Sequence, residues 1–381
     1  MNPSFLGLPF EWWYPVVWGI PYPIWTVTWT ILGLIVGSFL NVVIHRMPRD
    51  ESVVTPPSRC PHCNQRIPLR HNLPVISWIW LRGRCRSCSA PISPRYLGVE
   101  VLTGGIFLLT WLVFGAQQPE VALALSLLFA GFIAATFIDL EHLIIPDEIT
   151  LGGVVVGFLL SALASGLHGA ETAAQGLKAS GLGIAVGGGV VYAVLRGGKL
   201  LFGRQRVGLE GTQRVVFHES GLILPSGEIP YWELFYRPSD TVRCHGKRIE
   251  LSDRCFRDQP IEVRLAATPA ELRIGNETLA AEGEPYLAVE TDRIDLPREA
   301  MGLGDVKFMA AIGAFLGWQA TVFSLFASAV LGTAIALILI ALGRQQWSGR
   351  LGYGPYIAAA AMIWVFGGRH WWMEWFSWPL R

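Results

Sequence analysis

Two aspartates stand at the ends of long apolar runs, where an ionised carboxylate is costly unless it has a partner or a task. Asp305 opens one run, directly after Met301-Gly302-Leu303-Gly304, and Asp139 closes another that extends over residues 121–138. Two carboxylates that lie close together share one proton, so one serves as a base toward water and the other as an acid. This pair therefore indicates aspartyl-type hydrolysis if folding brings the two side chains together.

The residues around the pair also admit structural interpretations. Asp favours the N-terminal end of a helix, so a helix start alone explains Asp305. Gly302 and Gly304 lack a Cβ, which lets another segment approach that carboxylate closely. Lys307 either tunes the pair electrostatically or extends toward lipid headgroups. Asp147 caps the following helix in the interpretation that we favour over direct catalysis.

Four cysteines form a second constellation. Cys60 and Cys63 are separated by two residues, as are Cys85 and Cys88, and twenty-one residues lie between the two pairs. This spacing is typical of a zinc ribbon, in which each two-residue knuckle delivers two thiolates to a tetrahedral Zn²⁺. Disulfides are a less favoured alternative, because the loop is inferred below to lie in the cytoplasm, which is reducing. An iron–sulfur cluster is a further alternative. We expect a structural zinc that organises this loop.

The composition indicates a membrane protein. Of the 381 residues, 52% are hydrophobic and only 15% are charged, whereas soluble domains are roughly 25% charged. The net charge of +1 gives no reason to expect nucleic-acid binding. We therefore expect an all-α polytopic fold with about eight transmembrane helices of ~20 residues each. The apolar runs are residues 24–44, 97–115, 121–138, 149–167, 179–197, 306–318, 321–343 and 354–369.

Charge around the first loop predicts the orientation. Residues 45–98 carry nine arginines against Asp50 and Glu51, which places this loop in the cytoplasm by the positive-inside rule. The N-terminus is then outside, as an aromatic tail that lacks the basic segment of a cleaved signal peptide. Counting the helices forward brings Asp139 and Asp305 to the same, cytoplasmic face of the membrane.

A charged segment interrupts the apolar pattern. Between Lys199 and Glu299 lie 31 of the 59 Lys, Arg, Asp and Glu residues, which indicates a soluble domain set between membrane helices. Its short alternating runs, with Gly246 and Gly275 at turns, predict a β-rich domain. The expected strands are residues 214–218, 221–224, 229–235, 241–244, 248–251, 261–265 and 271–274.

Several of these stretches resemble a known family. Asp139 with Pro146-Asp147 downstream, together with the Gly-x-Gly-Asp-x-Lys pattern at residues 302–307, is similar to the type IV prepilin peptidases. The resemblance extends over residues 30–198 and 300–367, and it is specific because separate elements occur in the same order. The other matching stretches are Gly37 to Pro48, Asn72 to Ser77, Pro94 to Tyr96 with Val99-Glu100, and Gly352 to Ala358.

The resemblance implies an intramembrane aspartyl endopeptidase of the bacterial inner membrane, with Asp139 and Asp305 as the catalytic residues. The implied substrates are leader peptides of prepilin-like or pseudopilin proteins of type IV pilus and type II secretion systems, cut at the cytoplasmic face. The resemblance also implies a second activity for the loop at residues 45–98, methylation of the new N-terminus from S-adenosylmethionine. No Gly-rich nucleotide loop after a strand indicates that activity independently. Glu100 extends to the interface, pairs with an arginine or serves this methyltransferase.

Other classes of function stay open. Paired carboxylates within a membrane also serve proton-coupled transporters, although the duplicated halves of many transporters are not visible in this sequence. A peptidase without methylation and a non-catalytic zinc-bearing scaffold for pilus or secretion assembly are further alternatives. Residues 199–298 depart from the family pattern and are a docking surface, a regulatory lid or a passive insertion. Aromatic residues favour docking of assembly partners, namely Trp232, Phe235, Tyr236 and Phe256.

These observations divide the chain into five regions. Lipid surrounds the helical regions, and the charged insert is expected near the cytoplasmic mouth because its ends adjoin the helices that carry the aspartates. The expected regions are the tail and first transmembrane helix at residues 1–44, the zinc-binding loop with the methyltransferase region at 45–98, the helices carrying Asp139 at 99–198, the inserted β-rich domain at 199–298 and the helices carrying Asp305 at 299–381.

Overall fold

The computed structural model separates into two compact units. The first contains Met1–Tyr192 and Leu303–Arg381, and the second contains Ala193–Gly302. The aromatic tail before residue 15, and Tyr236 of the insert, lie outside the described residues. The structure describes residues 15–202, 204–218, 221–225, 227–235, 240–265, 270–280, 287–297, 302–343 and 352–377.

Helices build the first unit. Proline stands in the first turn of several of them, where its missing N–H costs no hydrogen bond and its fixed φ favours helix entry. Short π-helical turns extend two of the helices, at Trp111–Gly115 and Trp364–Gly368. The helices of the whole chain are α1 (Tyr22–Arg46), α2 (Ile76–Trp80), α3 (Pro94–Thr110), α4 (Pro119–His142), α5 (Asp147–Leu163), α6 (Ala173–Phe202), α7 (Tyr231–Leu234), α8 (Leu303–Ala341), α9 (Gly354–Ile363) and α10 (Arg369–Ser377).

Five helical segments among the described residues are long and apolar enough to cross a bilayer. The expected membrane protein is therefore confirmed, while α5 with 17 residues and α9 with 10 are shorter than these five. The five segments are Tyr22–Arg49, Pro94–Gly115, Pro119–His142, Ala173–Gly198 and Leu303–Ala341.

Helix α8 is not one continuous rod. Gly317 inside it has φ 81° and ψ 174°, a conformation that breaks the helical hydrogen bonding and that glycine adopts readily. On either side of the break, both Asp305 and Gly332 are close to Tyr353: Asp305 interacts with its hydroxyl electrostatically, and a Cβ at Gly332 would lie 3.6 Å from Tyr353 Cε2. A straight helix would separate residues 305 and 332 by about 40 Å. The chain therefore folds back at Gly317.

Glycines allow the helices to approach one another closely. A Cβ at Gly183 would lie 2.0 Å from the carbonyl oxygen of Gly313, and one at Gly187 would lie 2.4 Å from that of Met309. A Cβ at Gly157 of α5 would lie 2.5 Å from the Phe315 ring. Helices α5 and α6 thus pack on α8 through small residues, as expected for helices that associate in lipid.

The second unit contains a β-sheet, which confirms the expected β-rich insert. Eight antiparallel strands have the order β5-β4-β3-β10-β6-β7-β8-β9, and their apolar side chains form one hydrophobic core. A separate hairpin near the N-terminus consists of β1 (Val16–Val17) and β2 (Ile20–Pro21). The sheet strands are β3 (Arg204–Phe217), β4 (Gly221–Leu224), β5 (Gly227–Pro230), β6 (Val242–Leu251), β7 (Cys255–Arg264), β8 (Glu271–Ile274), β9 (Glu277–Ala280) and β10 (Leu287–Pro297).

Some expected details of the insert are wrong. Residues 231–234, expected within a strand, form the short helix α7. Gly246, expected at a turn, lies within β6, where a Cβ would approach Ile249 Cγ1 to 2.5 Å. The missing side chain makes room for the core there, so this glycine serves packing. Gly275, by contrast, has φ 57° and turns the chain between β8 and β9 as expected.

Candidate active site

Helix α4 presents Asp139 one turn before its C-terminal end. The helix ends at His142, and Leu143 adopts a left-handed conformation from which its N–H donates to the Asp139 carbonyl at 3.0 Å. Glu141 and His142 are therefore the last residues of α4. The Asp139 side chain is buried, and its Oδ2 accepts a hydrogen bond from the Gly354 N–H at 2.8 Å.

Asp305 lies in the first turn of α8 and is also buried. This position fits the helix-start interpretation as well as a functional one, because a carboxylate is favourable at a helix N-terminus. Gly304 lies beside Ile145, at an ordinary contact distance of 3.4 Å from a Cβ built on the glycine to Ile145 Cβ. Gly302 is exposed. The tightest approaches to a carboxylate are made elsewhere, by glycines that the sequence analysis did not single out.

Residues 352–356 contact Asp139 and interact electrostatically with Asp305. A Cβ at Gly352 would lie 2.6 Å from Asp139 Oδ2, and one at Gly354 would lie 3.0 Å from the same atom. The Asp305 charge acts on the Tyr353 hydroxyl, and the Asp139 charge acts on Tyr356. We call the group Asp139, Asp305, Gly352, Tyr353 and Gly354 the aspartate junction.

Aromatic packing joins the two aspartate-bearing helices next to the aspartate junction. The rings of Phe132 in α4 and Phe308 in α8 are in edge contact, with centroids 5.4 Å apart. Both side chains are buried. Phe308 follows Asp305 by three residues, which is one helical turn, so this contact holds α4 and α8 together beside the carboxylates.

Lys307 pairs with Asp147 at the N-termini of α8 and α5. Its Nζ lies 2.7 and 2.8 Å from the two Asp147 carboxylate oxygens. Lys307 follows Asp305 by two residues and therefore points to another side of the helix. Asp147 does not cap α5, because Pro146 occupies the cap position without a side-chain hydrogen bond. The pair instead links α5 to α8, and its exposure keeps its contribution to stability at roughly 0–1 kcal/mol.

The four cysteines of the first loop converge. Their sulfur atoms all lie within 4.8 Å of one another, and Cys60 Sγ is 3.8 Å from Cys88 Sγ. A tetrahedral Zn²⁺ with ligand bonds of about 2.3 Å separates its sulfurs by roughly 3.8 Å, so the donor set fits this metal. Hydrogen bonds from the backbone N–H groups of Cys88 and Ser87 lower the pKa of Cys85 to about 6, which favours the thiolate that a metal binds.

The two knuckles have the same backbone geometry. Asn64 N–H donates to the Cys60 carbonyl, and Ser89 N–H donates to the Cys85 carbonyl. Asn64 and Ser89, each four residues after the first cysteine of its pair, have φ values of 55° and 58°. Because this turn is repeated, both thiols of each pair lie in the same four-sulfur cluster, as the spacing predicts.

A second buried carboxylate lies where α1, α3 and the first loop meet. Glu100 Oε2 accepts a hydrogen bond from the Val75 N–H at 2.7 Å, and Ser38 also hydrogen-bonds this carboxylate. Val75 has φ 62° and ψ −51°, and the N–H of Ile76 donates to the Pro74 carbonyl at 2.6 Å. This is a γ-turn of the rare, strained kind. Among the described residues, Glu100 therefore hydrogen-bonds to a backbone N–H and to Ser38. Pairing with an arginine was one of the three interpretations that the sequence left open.

Asn41 accompanies Glu100 and was missed in the sequence analysis as an individual residue. Its Nδ2 donates to the carbonyls of Gly37 at 3.3 Å and Tyr96 at 3.0 Å. Its Oδ1 is buried without a hydrogen-bond partner among the described residues. The signal available in advance was a lone amide within an apolar run. We call Ser38, Asn41, Val75 and Glu100 the first-loop junction.

An ion pair links the two junctions. Arg95, at the start of α3, contacts Glu141 at the end of α4 through its guanidinium. Arg95 adjoins Tyr96, which binds Asn41, and Glu141 follows Asp139 by two residues. The first loop and the aspartate-bearing helix are thus attached to each other on one side of the first unit.

Comparison with known proteins identifies the family. The Bacterial Peptidase A24 N-terminal domain matches residues 31–114, and the Type IV leader peptidase family matches residues 126–210 and 294–337. The first match covers the candidate zinc-binding loop, and the second covers both aspartates. Residues 211–293, which the second match leaves out, belong to the insert. No solved structure matches.

Individual relatives agree with these matches. The prepilin leader peptidase/N-methyltransferase of Aeromonas hydrophila is 29% identical over 375 residues, which cover 92% of this chain and 93% of the relative. The protein of the same name from Dickeya chrysanthemi is 38% identical over 209 residues, covering 49% and 70%. That of Myxococcus xanthus is 45% identical over 139 residues, covering 36% and 41%. This chain belongs to the prepilin leader peptidase/N-methyltransferase family.

Proposed function

We propose that this chain is an intramembrane aspartyl endopeptidase that removes leader peptides from prepilin-like or pseudopilin proteins, with Asp139 and Asp305 as its catalytic residues. The observation that carries the proposal is the aspartate junction: two buried carboxylates from separate helices interact with the same segment, residues 352–356. The names of the relatives supply the substrate class.

The proposed chemistry needs one ionised and one protonated aspartate. The ionised carboxylate removes a proton from water, and the oxygen attacks the scissile carbonyl carbon. The protonated carboxyl group donates to the carbonyl oxygen, and a proton then passes to the departing amine as the C–N bond breaks. The Gly354 N–H holds Asp139 Oδ2, which orients the carboxyl group and leaves Oδ1 for the water.

We infer that the membrane region contains eight spans with the active site at the cytoplasmic face. The break at Gly317 divides α8 into residues 303–316 and 318–341, and α5 and α9 supply two further short spans. Nine arginines in residues 45–98 support a cytoplasmic first loop and an outside N-terminus in the inner membrane. On this count, Asp139 and Asp305 both lie at the cytoplasmic side.

We further propose that Cys60, Cys63, Cys85 and Cys88 bind one structural Zn²⁺. The sulfur separations and the matched knuckles support zinc over a disulfide pair, because the four sulfurs are mutually close. A metal held by four protein ligands has no open position for substrate, so its contribution is to shape the loop.

The first loop is also our proposed methyltransferase region, and the relatives' names support that activity. Two acceptor groups in this region suit a cationic ligand. Glu100 is a buried carboxylate, and Asn41 Oδ1 is a buried acceptor without a partner among the described residues. S-adenosylmethionine, when bound, supplies the methyl group. Glu100 and Asn41 would hold donor groups of the ligand or of the new N-terminal amine, and Glu100 would accept the amine proton.

The insert is proposed as a docking domain for substrates or assembly partners. Phe235 and Phe256 pack against its hydrophobic core and are only partly buried. Aromatic side chains at such positions favour binding surfaces.

One experiment tests the proposed function directly. The purified chain in lipid nanodiscs is incubated with a prepilin and S-adenosylmethionine, and mass spectrometry follows both cleavage and methylation. We expect a product cut before its apolar helix, followed by addition of one methyl group. An intact prepilin under conditions in which the Aeromonas hydrophila relative cleaves it would overturn the peptidase assignment and favour a transporter or a scaffold. Cleavage without methylation would leave a peptidase alone.

A further inference from the structure

Helix α2 of the first loop has two unlike faces. One face is fixed to the protein: Ser77 is buried and its Oγ accepts from the Leu73 N–H at 3.0 Å, while Trp78 Nε1 donates to the Ile92 carbonyl at 3.4 Å. The other face is apolar and exposed, with Trp80 81% and Ile79 61% exposed. Ile76 and Leu73 extend this exposed face. We call Leu73, Ile76, Ile79 and Trp80 the α2 apolar face.

Glu100 fixes the position of the α2 apolar face along a membrane-spanning helix. Val75 immediately precedes α2, and its N–H is bound to the Glu100 carboxylate. Glu100 is the seventh residue of the span Pro94–Gly115, which places it about 9 Å along the helix from Pro94. The start of α2 is therefore held beside the body of a membrane-spanning helix. Glu100 is thus in the end third of this 22-residue span, toward one membrane surface.

The surrounding charge also suits a membrane surface. Residues 52–99 contain seven arginines and no Asp or Glu. Arg82, Arg84 and Arg86 directly follow α2 and are exposed. Basic residues beside an apolar helix face, with a tryptophan at its edge, are typical of segments that lie on anionic leaflets.

We propose that the α2 apolar face inserts into the headgroup–acyl boundary of the leaflet that contacts the first loop. This makes α2 an interfacial anchor between two spanning helices. Together with the Glu100–Val75 hydrogen bond, it holds the candidate zinc-binding loop flat on the bilayer, where a membrane-embedded substrate presents its N-terminus. The proposal stands whether or not the loop methylates that N-terminus.

The test places a fluorescent amino acid at position 80 in place of Trp80, in the full chain reconstituted into nanodiscs of phosphatidylethanolamine and phosphatidylglycerol. Position 54 is the matched control, because Val54 is an apolar residue of the same loop that is 78% exposed but lies beside Asp50 and Glu51. Each label is exposed in turn to lipid brominated in the acyl chain and to aqueous iodide. A third label, at position 76, probes the same face independently if the substitution at position 80 disrupts folding. Prepilin cleavage verifies that each labelled protein is native.

We expect the labels at positions 80 and 76 to have blue-shifted emission that brominated lipid quenches and iodide does not. The label at position 54 is expected to show the reverse. Quenching of positions 80 and 76 by iodide alone would overturn the proposal. Protection of both labels from both quenchers would also overturn it, since protein would then cover the face. Protection that arises only when a prepilin is added would assign the face to the substrate instead.

Discussion

The aspartate junction and the first-loop junction contain the same kind of hydrogen bond but differ in the structure that surrounds it. In each, a buried carboxylate of a membrane helix accepts a backbone N–H, from Gly354 at 2.8 Å for Asp139 and from Val75 at 2.7 Å for Glu100. The aspartate junction has a second carboxylate and is enclosed by helices α4, α8 and α9. The first-loop junction has a single carboxylate and a loop whose cysteines can hold a metal.

This difference indicates that the two junctions can be disabled separately. Helix packing around the aspartates does not require a metal, whereas the first loop contains little regular structure beyond α2, and its four thiols converge on one point. The Arg95–Glu141 pair is the contact through which damage at one junction would reach the other.

Replacement of either catalytic candidate should have the largest effect. Asp139→Asn and Asp305→Asn are each expected to lower the cleavage rate by roughly 10²–10⁴-fold, since an amide cannot exchange the proton of the pair. Initial rates on a prepilin in nanodiscs measure this loss. Asp147→Asn is the control and should have a mild effect, because its carboxylate pairs with Lys307. Near-normal turnover by either dyad variant would show that the acid–base assignment is wrong.

A methyl group inside the aspartate junction should be the next most damaging change. Gly352→Ala brings a Cβ to 2.6 Å from Asp139 Oδ2, so the carboxylate or residues 352–356 must shift. Such overpacking costs about 1–3 kcal/mol. We expect the cleavage rate to fall by the factor that this energy gives as an added barrier, which is tenfold for about every 1.4 kcal/mol. Gly152→Ala is the matched control, because its Cβ would meet nothing within 4 Å. Equal activity of the two variants would contradict the close approach.

Loss of the metal should separate the two activities. Cys85→Ser, or treatment with a chelator, is expected to remove methylation and to spare part of the cleavage activity, because the thiols shape the first loop only. Elemental analysis should find one zinc per chain in the unmodified protein. Absence of metal from protein purified without chelators would refute the zinc site. Equal loss of both activities would instead show that the junctions are coupled through Arg95 and Glu141.

Removal of the insert should leave both junctions intact. Arg204 of β3 and Pro297 of β10 are paired partners in the sheet, so the insert begins and ends at neighbouring points. A short flexible linker in place of residues 204–295 therefore costs little in loop closure. We expect hydrolysis of a short leader peptide to continue and the choice among full-length substrates to change. A folded deletion variant that cannot cut the short peptide would make the insert part of the active site.

The Lys307–Asp147 pair should contribute least. Lys307→Met is expected to lower the free energy of unfolding by at most about 1 kcal/mol, because both side chains are partly exposed. Thermal unfolding of the single and double variants gives the coupling free energy between the two residues. A much larger coupling, or a shift in the pH profile of cleavage, would show that Lys307 acts on the aspartates after all.

Local patterns were predictable from the sequence. The two Cys-x-x-Cys knuckles could be expected because each pair lies within one tight turn, and the β-rich insert because alternation and turn residues act over a few positions. The apolar runs likewise predicted helices close to those observed. The error at residues 231–234 arose because a four-residue helix after Pro230 has too few residues to display a period.

Such local patterns could not predict contacts between residues that are far apart in the sequence. The sequence alone determined that this is a membrane protein with two end-of-helix aspartates, a four-cysteine loop and a charged insert, since composition and spacing carry that information. The folded structure was needed to establish that Gly354, 215 positions after Asp139, donates to its carboxylate, and that Glu100 accepts a hydrogen bond from Val75. It also decided that Gly317 folds α8 back. The physical reason is that helix packing selects these partners from many similar apolar residues and glycines, a choice made by shape and burial across the whole fold.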